Sequence, residues 1–320
     1  MAVAFNLVAG FNDGGNLLAA ATAGRTISPA AAFFIIVAGA LVGPLVAGTA
    51  VAQTIGHGIV NYERVGFVPL AAGMLGGVGA ILLAYAARLP TSASVALVSA
   101  TIGSLWVLGK LQEIAWSGVS KVILSLCGSI VIGFLAGAII YTMAWIIFSK
   151  VSFKTGNRLV QFQYVTVFLQ AIGYGSNDAE KMMGLIVAAT LIGTTTSVFA
   201  VPFWAIAVSV FSFALGMAIG GRRVAKTIGG KLFRIMPLHA LCFQLAAAAT
   251  VITASTLGGP LSTTESTASA IMGVGAATNP RALHWRIARE LVAAWFLTVP
   301  VGLASGAAAT LILRAFTHGR

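Results

Sequence analysis

Long apolar runs alternate with short polar segments along the whole chain. The runs cover residues 1–22, 30–52, 66–87, 91–109, 119–148, 160–198, 200–220, 236–257, 260–279 and 290–314. Each is near or above the roughly 20 residues that an α-helix needs to cross about 30 Å of hydrocarbon. A membrane barrel would instead need segments of about 10 residues with alternating polarity, and the sequence has none. The pattern predicts an all-α polytopic membrane protein with about ten membrane segments.

The composition supports this class. Hydrophobic residues make up 58% of the 320 residues and charged residues 8%, whereas a soluble domain averages about 25% charged residues. Glycine is abundant, with 37 residues. Small residues let helices approach closely in lipid, so most of these glycines are predicted to lie at helix–helix contacts.

The net charge of +12 is unevenly placed. Thirteen of the nineteen Lys and Arg residues fall in alternate loops, including the linker at 150–159 and the segment at 222–234. By the positive-inside rule, this bias predicts a multi-pass protein of the cell membrane with the linker in the cytoplasm and both termini outside. The basic loops are expected to meet anionic membrane lipids and no nucleic acid.

The chain is predicted to consist of two related halves of opposite orientation. Five runs precede the basic cytoplasmic linker 150–159 and five follow it, so an N-terminal membrane repeat 1–149 and a C-terminal membrane repeat 160–320 would enter the membrane from opposite sides. Three motifs recur in the same order, at 12–13 and 177–178, at 48–56 and 221–229, and at 90–94 and 260–264. The pattern predicts inverted-topology repeats with broken or re-entrant helices.

Two polar islands, at 11–16 and 175–181, each carry an Asn-Asp pair inside an apolar run. A charge at mid-bilayer costs at least about 2.5–3.5 kcal/mol, so such residues are expected to face a cavity, an ion or a substrate. Two structural alternatives remain. Asp13 and Asp178 could cap helix ends, or they could form ion pairs, as Lys181 could with Asp178 one turn earlier.

The segments Pro-Thr-Ser-Ala-Ser at 90–94 and Pro-Leu-Ser-Thr-Thr at 260–264 are typical of the starts of half-helices. A helix N-terminus with free N–H groups and hydroxyls is a ready anion site. Two such ends, related by a pseudo-twofold axis, would converge on one tetrahedral oxyanion. The predicted ligands are Thr91, Ser92, Ser94, Ser262, Thr263 and Thr264, with Asn12 and Asn177 assisting. Alternatively, these hydroxyls could bond back to helix carbonyls.

The carboxylates need a role beside an anion. Asp and Asn oxygens are hard ligands that suit a small cation such as Na⁺, so Asp13 and Asp178 are predicted to hold Na⁺. Asn16 and Glu265 complete the predicted ion-coupling set. Alternatively, a desolvated carboxylate could carry a coupled proton, and Glu265 is the best candidate. A carboxylate can also accept a hydrogen bond from a protonated oxyanion, which favours phosphate over sulfate.

These islands resemble the signatures of the PiT family of inorganic phosphate transporters. The family's Gly-x-Asn-Asp-x-x-Asn and His-Gly-x-Asn-Asp-x-x-Lys signatures correspond to residues 10–16 and 174–181, and its two Pro-x-Ser islands to 90–94 and 260–264. Val95, Tyr174 and Glu265 stand where the family has histidines. The resemblance covers nearly the whole chain.

The resemblance implies a transporter that is not an enzyme and has no cofactor. Such a protein would move inorganic phosphate by symport with Na⁺ or H⁺, alternating access to a midplane site, and would form a homodimer. A sulfate or thiosulfate permease on the same scaffold and a passive anion channel are the alternatives. The sequence contains no nucleophile–base pair and no ATP-binding loop, which disfavours an enzyme or a pump.

Overall fold

The computed structural model describes residues 1–87, 91–148, 156–194, 198–228, 235–281 and 283–318. Within these ranges the chain is almost entirely helical, and its only β-type pairing is a single bridge between Val60 and Ile114. The predicted all-α class is confirmed. Residues 149–155 of the predicted linker region, Pro90 of the first Pro-x-Ser island and Gly229 of the second repeated segment lie outside the described residues.

Among the described residues, eight α-helices lie in the first half of the chain and six in the second. The first eight are α1 (Ala2–Ala9), α2 (Gly15–Thr22), α3 (Pro29–Ala47), α4 (Ala50–Gln53), α5 (Tyr62–Val65), α6 (Phe67–Ala86), α7 (Ala93–Val107) and α8 (Trp116–Phe148). The other six are α9 (Gly156–Tyr174), α10 (Glu180–Leu191), α11 (Phe203–Ile228), α12 (Pro237–Thr256), α13 (Thr263–Thr278) and α14 (Trp285–His318).

The ten predicted membrane segments take three different forms. Six of them contain a helix long and apolar enough to span a bilayer, namely α3, α6, α8, α11, α12 and α14. The first and sixth segments each consist of two α-helices joined directly by a π-helical turn, α1–α2 and α9–α10. The fourth and ninth are the short helices α7 and α13 with 15 and 16 residues, or roughly 22–24 Å at 1.5 Å per residue. These two are too short to cross the hydrocarbon, as predicted for half-helices.

Both Asn-Asp islands lie in π-helical turns. The first turn, Gly10–Gly14, joins α1 to α2, and the second, Gly175–Ala179, joins α9 to α10. A third π-helical turn, Thr54–Gly58, follows α4 inside the first copy of the repeated segment at 48–56. Single π-helical turns inside α-helices are often found at functional sites, because they redirect side chains.

The two half-helices begin at the predicted serines. Ser92 caps α7 by accepting a hydrogen bond from Val95 N at 3.4 Å, and Ser262 caps α13 by accepting one from Glu265 N at 3.3 Å. Helix α7 packs against α6 and α14, whereas α13 packs against α8 and α12. Each half-helix is thus enclosed by long spanning helices.

Glycines allow these helices to pack closely, as the composition predicts. Gly76 of α6 lies against the backbone of Gly306 in α14, and Gly137 of α8 lies against the backbone of Ala270 in α13. In lipid there is little hydrophobic gain from helix association, so such close van der Waals contact is a main source of stability.

Two glycines one turn apart on α6 test this packing. A Cβ at Gly76 would lie 2.6 Å from Gly306 Cα, whereas a Cβ at Gly79 would lie 3.9 Å from its nearest neighbour, Ser305 Cβ. Overpacking costs about 1–3 kcal/mol, so we expect Gly76→Ala to lower the thermal unfolding midpoint in detergent. Gly79→Ala gains helix propensity of roughly 0.8–1.0 kcal/mol and should match or exceed the parent. Equal midpoints for the two variants would contradict the packing described.

Candidate functional site

The polar segments predicted from the sequence meet at one buried place. Asn12 Nδ2 donates to the Thr91 carbonyl at 2.9 Å, which joins the first π-helical turn to the start of α7. Ser94 Oγ donates to the Leu261 carbonyl at 2.7 Å, which joins the start of α7 to the start of α13. The two half-helix N-termini are therefore in direct contact, as the sequence predicts.

The first Asn-Asp island contacts α13 through Thr264. Asp13 Oδ1 accepts hydrogen bonds from Asn12 Nδ2 at 2.8 Å and from Thr264 Oγ1 at 2.9 Å. Asn16 Nδ2 donates to Thr264 Oγ1 at 3.0 Å. Since the single hydroxyl proton of Thr264 goes to Asp13, the amide nitrogen of Asn16 must face Thr264. Asn16 Oδ1 is left buried, with no partner among the described residues.

The second island holds the loop before α13. Asn177 Nδ2 donates to Ser255 Oγ at 3.0 Å and to the Gly259 carbonyl at 3.2 Å. Asn177 Oδ1 accepts from Leu261 N at 3.3 Å. The amide of Asn177 is thus fully used in positioning the start of α13.

Asp178 forms a buried ion pair. Its Oδ1 lies 2.5 Å from Lys181 Nζ, with both side chains at most 3% exposed, and its Oδ2 accepts from Thr263 Oγ1 at 2.5 Å. Lys181 also donates to the Leu261 carbonyl at 3.0 Å. Both oxygens of Asp178 therefore have a partner, which is the ion-pair alternative considered for this residue.

The site concentrates buried charge. Asp13, Asp178 and Glu265 lie close enough to Lys181, or to one another, to interact electrostatically. Glu180, which is also buried, interacts with Lys181 as well. With four carboxylates and one ammonium, the fully ionised cluster would be negative. Glu265 Oε1 is buried with no partner within the described ranges. Such a cluster is costly in a membrane unless cations are bound or protons are taken up.

The half-helix ends also present unused donors. The oxygens of Ser92 and Ser262 accept helix-capping bonds. The Ser262 hydroxyl also lies within hydrogen-bond reach of the Glu265 carboxylate, whereas no acceptor for the Ser92 hydroxyl proton is found among the described residues. The first two N–H groups of α7 and of α13 have no partner inside their own helix. Hydroxyls, N–H groups and the positive ends of two helix dipoles therefore meet, and this combination binds anions.

The other predicted hydroxyls hold the helices together. Thr91 Oγ1 lies 2.8 Å from Thr298 Oγ1 of α14, while Ser94, Thr263 and Thr264 donate to groups on neighbouring segments. None of these four bonds runs back to a carbonyl of its own helix. That alternative is seen deeper in α7, where Ser99 Oγ donates to the Val95 carbonyl at 2.6 Å.

Three positions carry histidine in the family that the sequence resembles, and in this structure their surroundings differ. Val95 is the residue whose N–H is capped by Ser92. Tyr174 is buried and its hydroxyl lies 3.3 Å from Thr267 Oγ1. Glu265 is the buried carboxylate already described, so two of the three positions still carry polar groups beside the site.

Sequence reasoning missed two polar residues. Thr298, which contacts Thr91, lies in an apolar run without a local motif. Glu180 accepts from Val51 N at 3.1 Å and Ala52 N at 3.2 Å, and thereby ties α10 to α4. Its place inside the second island was the available signal.

Half-helices and helices with π-helical turns that meet at a buried polar site are typical of membrane transporters. The model of the phosphate transporter family matches residues 9–306, and the chain belongs to this family. The predicted resemblance is confirmed, and the family consists of transporters rather than enzymes.

Related proteins match along most of the chain. A probable low-affinity inorganic phosphate transporter of Bacillus subtilis is 31% identical over 316 residues, covering 98% of this chain and 95% of the relative. One of the same name from Rhizobium meliloti is 31% identical over 302 residues, covering 94% and 90%.

Two sodium-dependent proteins are also similar. Sodium-dependent phosphate transporter 1 of Rattus norvegicus is 34% identical over 164 residues, covering 50% of this chain and 24% of that protein. A solved structure described as the sodium-dependent phosphate transporter has a TM-score of 0.83 at 23% identity, covering 98% and 97%. This structure has the same fold.

The ion pair in the site predicts a stability effect. Lys181→Met would leave the buried Asp178 carboxylate charged and without its cationic partner. Removing one partner of a buried ion pair costs about 3–5 kcal/mol of stability. We expect a large drop in the thermal unfolding midpoint, and substantial recovery in the double variant Asp178→Asn, Lys181→Met. The control is Arg286→Met, because Arg286 and Glu290 form an exposed pair at 3.0 Å and such pairs contribute little. A Lys181→Met protein as stable as the parent would contradict the pairing.

Proposed function

We propose that this protein takes up inorganic phosphate by symport with Na⁺. In this account, phosphate binds between the N-termini of α7 and α13, and Na⁺ binds at the oxygens of Asp13, Asn16 and Glu265. One observation carries the proposal. Two helix N-termini, one Asn-Asp island and a negative cluster meet through the bonds Ser94–Leu261 and Thr264–Asp13.

The phosphate ligands are proposed to be the donors at the two half-helix ends. These are the hydroxyls of Ser92 and Ser262 and the first N–H groups of α7 and α13. Lys181, which lies on the Leu261 carbonyl just before Ser262, would add positive charge. Thr91, Ser94, Thr263, Thr264, Asn12 and Asn177 would keep the two helix ends at the spacing that one tetrahedral anion needs.

The choice of Na⁺ over H⁺ rests on Asn16. Two buried acceptor oxygens near Thr264, Asn16 Oδ1 and Glu265 Oε1, have no donor among the described residues. A carboxylate oxygen can take up a proton, but an amide oxygen does not do so at physiological pH. A small hard cation satisfies both oxygens and Asp13 as well. The name of the rat relative, which matches 50% of this chain and 24% of that protein, agrees with sodium dependence.

Asp178 has a different role in this proposal. Its carboxylate holds Lys181 at 2.5 Å, so it would act on the anion by fixing that ammonium. It stays in the ion-coupling set because a movement of Lys181 toward phosphate would free its oxygens for a second Na⁺.

Transport would follow from movement of the two halves. Residues 1–149 and 160–320 are proposed to be inverted repeats joined by the cytoplasmic linker 150–159, with both termini outside. Rocking of one repeat against the other would expose the shared site to each side in turn. Homodimer formation stays a prediction from the family resemblance.

Uptake of labelled phosphate into proteoliposomes tests the coupling. We expect an inward Na⁺ gradient to drive uptake, a proton gradient alone to drive none, and excess sulfate not to compete. Asn16→Ala removes one proposed ligand. A tenfold change in affinity corresponds to about 1.4 kcal/mol. We expect Asn16→Ala to raise the half-saturating Na⁺ concentration by roughly tenfold or more.

The control for charge removal is Glu63→Gln, because Glu63 is exposed and remote from the site. It should leave uptake unchanged, while Asp13→Asn and Glu265→Gln should lose it. Uptake driven by a proton gradient without Na⁺ would contradict the assignment of Na⁺ as the coupling ion. Competition by sulfate would favour a sulfate permease. Phosphate flux that does not saturate and that persists without a gradient of Na⁺ or H⁺ would favour a channel.

Glycine variants of the capping serines test the phosphate site. Gly caps helices nearly as well as Ser, at a cost of a few tenths of a kcal/mol, but it has no hydroxyl. A hydrogen bond to a charged group contributes about 1.5–3 kcal/mol. We therefore expect Ser92→Gly and Ser262→Gly each to raise the half-saturating phosphate concentration by about tenfold or more.

Ser28→Gly is the matched control for these variants. Ser28 caps α3 by accepting from Ala31 N at 3.2 Å and is exposed. This variant should transport like the parent. If Ser92→Gly and Ser262→Gly also bind phosphate normally, the helix ends are not the anion site.

A further inference from the structure

One face of α9 is polar from its first turns to the site. Gln163, Thr166, Gln170 and Tyr174 follow one another at three- or four-residue spacing, which places them on one side of the helix. All four are buried, and Gln163 and Gln170 are 0% exposed. The next turn carries Asp178. The opposite face carries exposed apolar residues such as Val165.

The middle of this α9 polar face contacts α12 and α13. Thr166 Oγ1 donates to Gln244 Oε1 at 2.7 Å. Gln170 Nε2 donates to Thr267 Oγ1 at 3.1 Å, and the Tyr174 hydroxyl lies 3.3 Å from the same oxygen. Each of these three polar side chains of α9 therefore has a hydrogen-bonding contact with α12 or α13.

The far end of the face is closed by three segments. Gln163 Nε2 donates to the Pro237 carbonyl at 2.8 Å, at the start of α12, and Gln163 Oε1 bonds to Thr26 in the loop after α2. A Cβ at Gly24 would lie 2.7 Å from Gln163 Nε2, so no space remains beside this side chain. Arg25, next to Thr26, is exposed, and its loop is one of those predicted to be cytoplasmic.

Packing alone is an incomplete explanation of this face. Polar pairs between membrane helices add only about 0.6–2 kcal/mol each, and a structural pair is expected to be satisfied. Gln170 Oε1, however, is buried with no partner in the described part of the chain. Buried polar residues in membrane helices often mark substrate and ion pathways.

We propose that the α9 polar face lines the route between the site and the Arg25 end of the protein. Hydrated phosphate and Na⁺ would pass between Gln170 and Thr267, and Gln163 with Thr26 and Pro237 would close the outlet. This inference rests on the proposed transport function, and it names which helix face the released ions follow.

Cysteine accessibility tests the route. In a background with Cys127 and Cys242 replaced by Ala, we compare Gln170→Cys with Ala171→Cys, since Ala171 is the next residue and is also buried. The probe is a charged, membrane-impermeant methanethiosulfonate, which needs a hydrated thiolate. We expect it to label Gln170→Cys at least about tenfold faster than Ala171→Cys when applied at the Arg25 end of oriented vesicles, and saturating phosphate with Na⁺ to slow the labelling.

The outlet has its own test. Adding Gln163→Ala to Gln170→Cys should speed labelling from the Arg25 end further, because the closing side chain is shortened. If Gln170→Cys does not fold, Thr267→Cys on the facing helix serves in its place.

Labelling that is no faster than at Ala171→Cys, or that occurs only from the opposite side, would overturn the route. Phosphate uptake by the cysteine-free background is measured separately. If uptake is normal but the probe fails to label Gln170→Cys, the route is refuted and the proposed function is left intact.

Discussion

A hydrocarbon interior offers no water to polar groups, and this constraint accounts for the arrangement of the site. Every charge or amide placed there must find a partner in the protein, an ion or a substrate. Asp178 finds Lys181, and Asp13 finds Asn12 and Thr264. Bonds from Asn12 to Thr91, from Thr264 to Asp13 and from Thr263 to Asp178 join the two Asn-Asp islands to the starts of the two half-helices. In the proposed mechanism, ion binding and helix position are linked by the same hydrogen bonds.

The same constraint gives a physical reason for the coupled transport that we propose. The half-helix ends attract an anion, but the neighbouring carboxylates repel one. An anion is bound favourably only when the negative cluster is offset, and a bound cation supplies that charge. A carrier built in this way would bind phosphate weakly without its coupling ion. Release of one ion would then favour release of the other.

Some of this arrangement could be predicted from the sequence, because local signals carry it. Ser92 and Ser262 follow the capping pattern, so the starts of α7 and α13 were correctly predicted. The length of the apolar runs alone did not distinguish the six spanning helices from the helices interrupted by π-helical turns or from the two half-helices. The contacts between residues that are distant in the sequence could also not be predicted. The engagement of Asn177 with Gly259, and of Glu180 with α4, joins residues that no local pattern relates.

Calorimetric titration of phosphate into the purified protein, in Na⁺ and in choline, tests the shared site most directly. Coupling between two ligands is reciprocal and typically changes affinity by about 5–150-fold. The account predicts that Na⁺ tightens phosphate binding, that phosphate tightens Na⁺ binding by the same factor, and that Asp13→Asn abolishes both effects. Equal phosphate affinity in Na⁺ and in choline would contradict it.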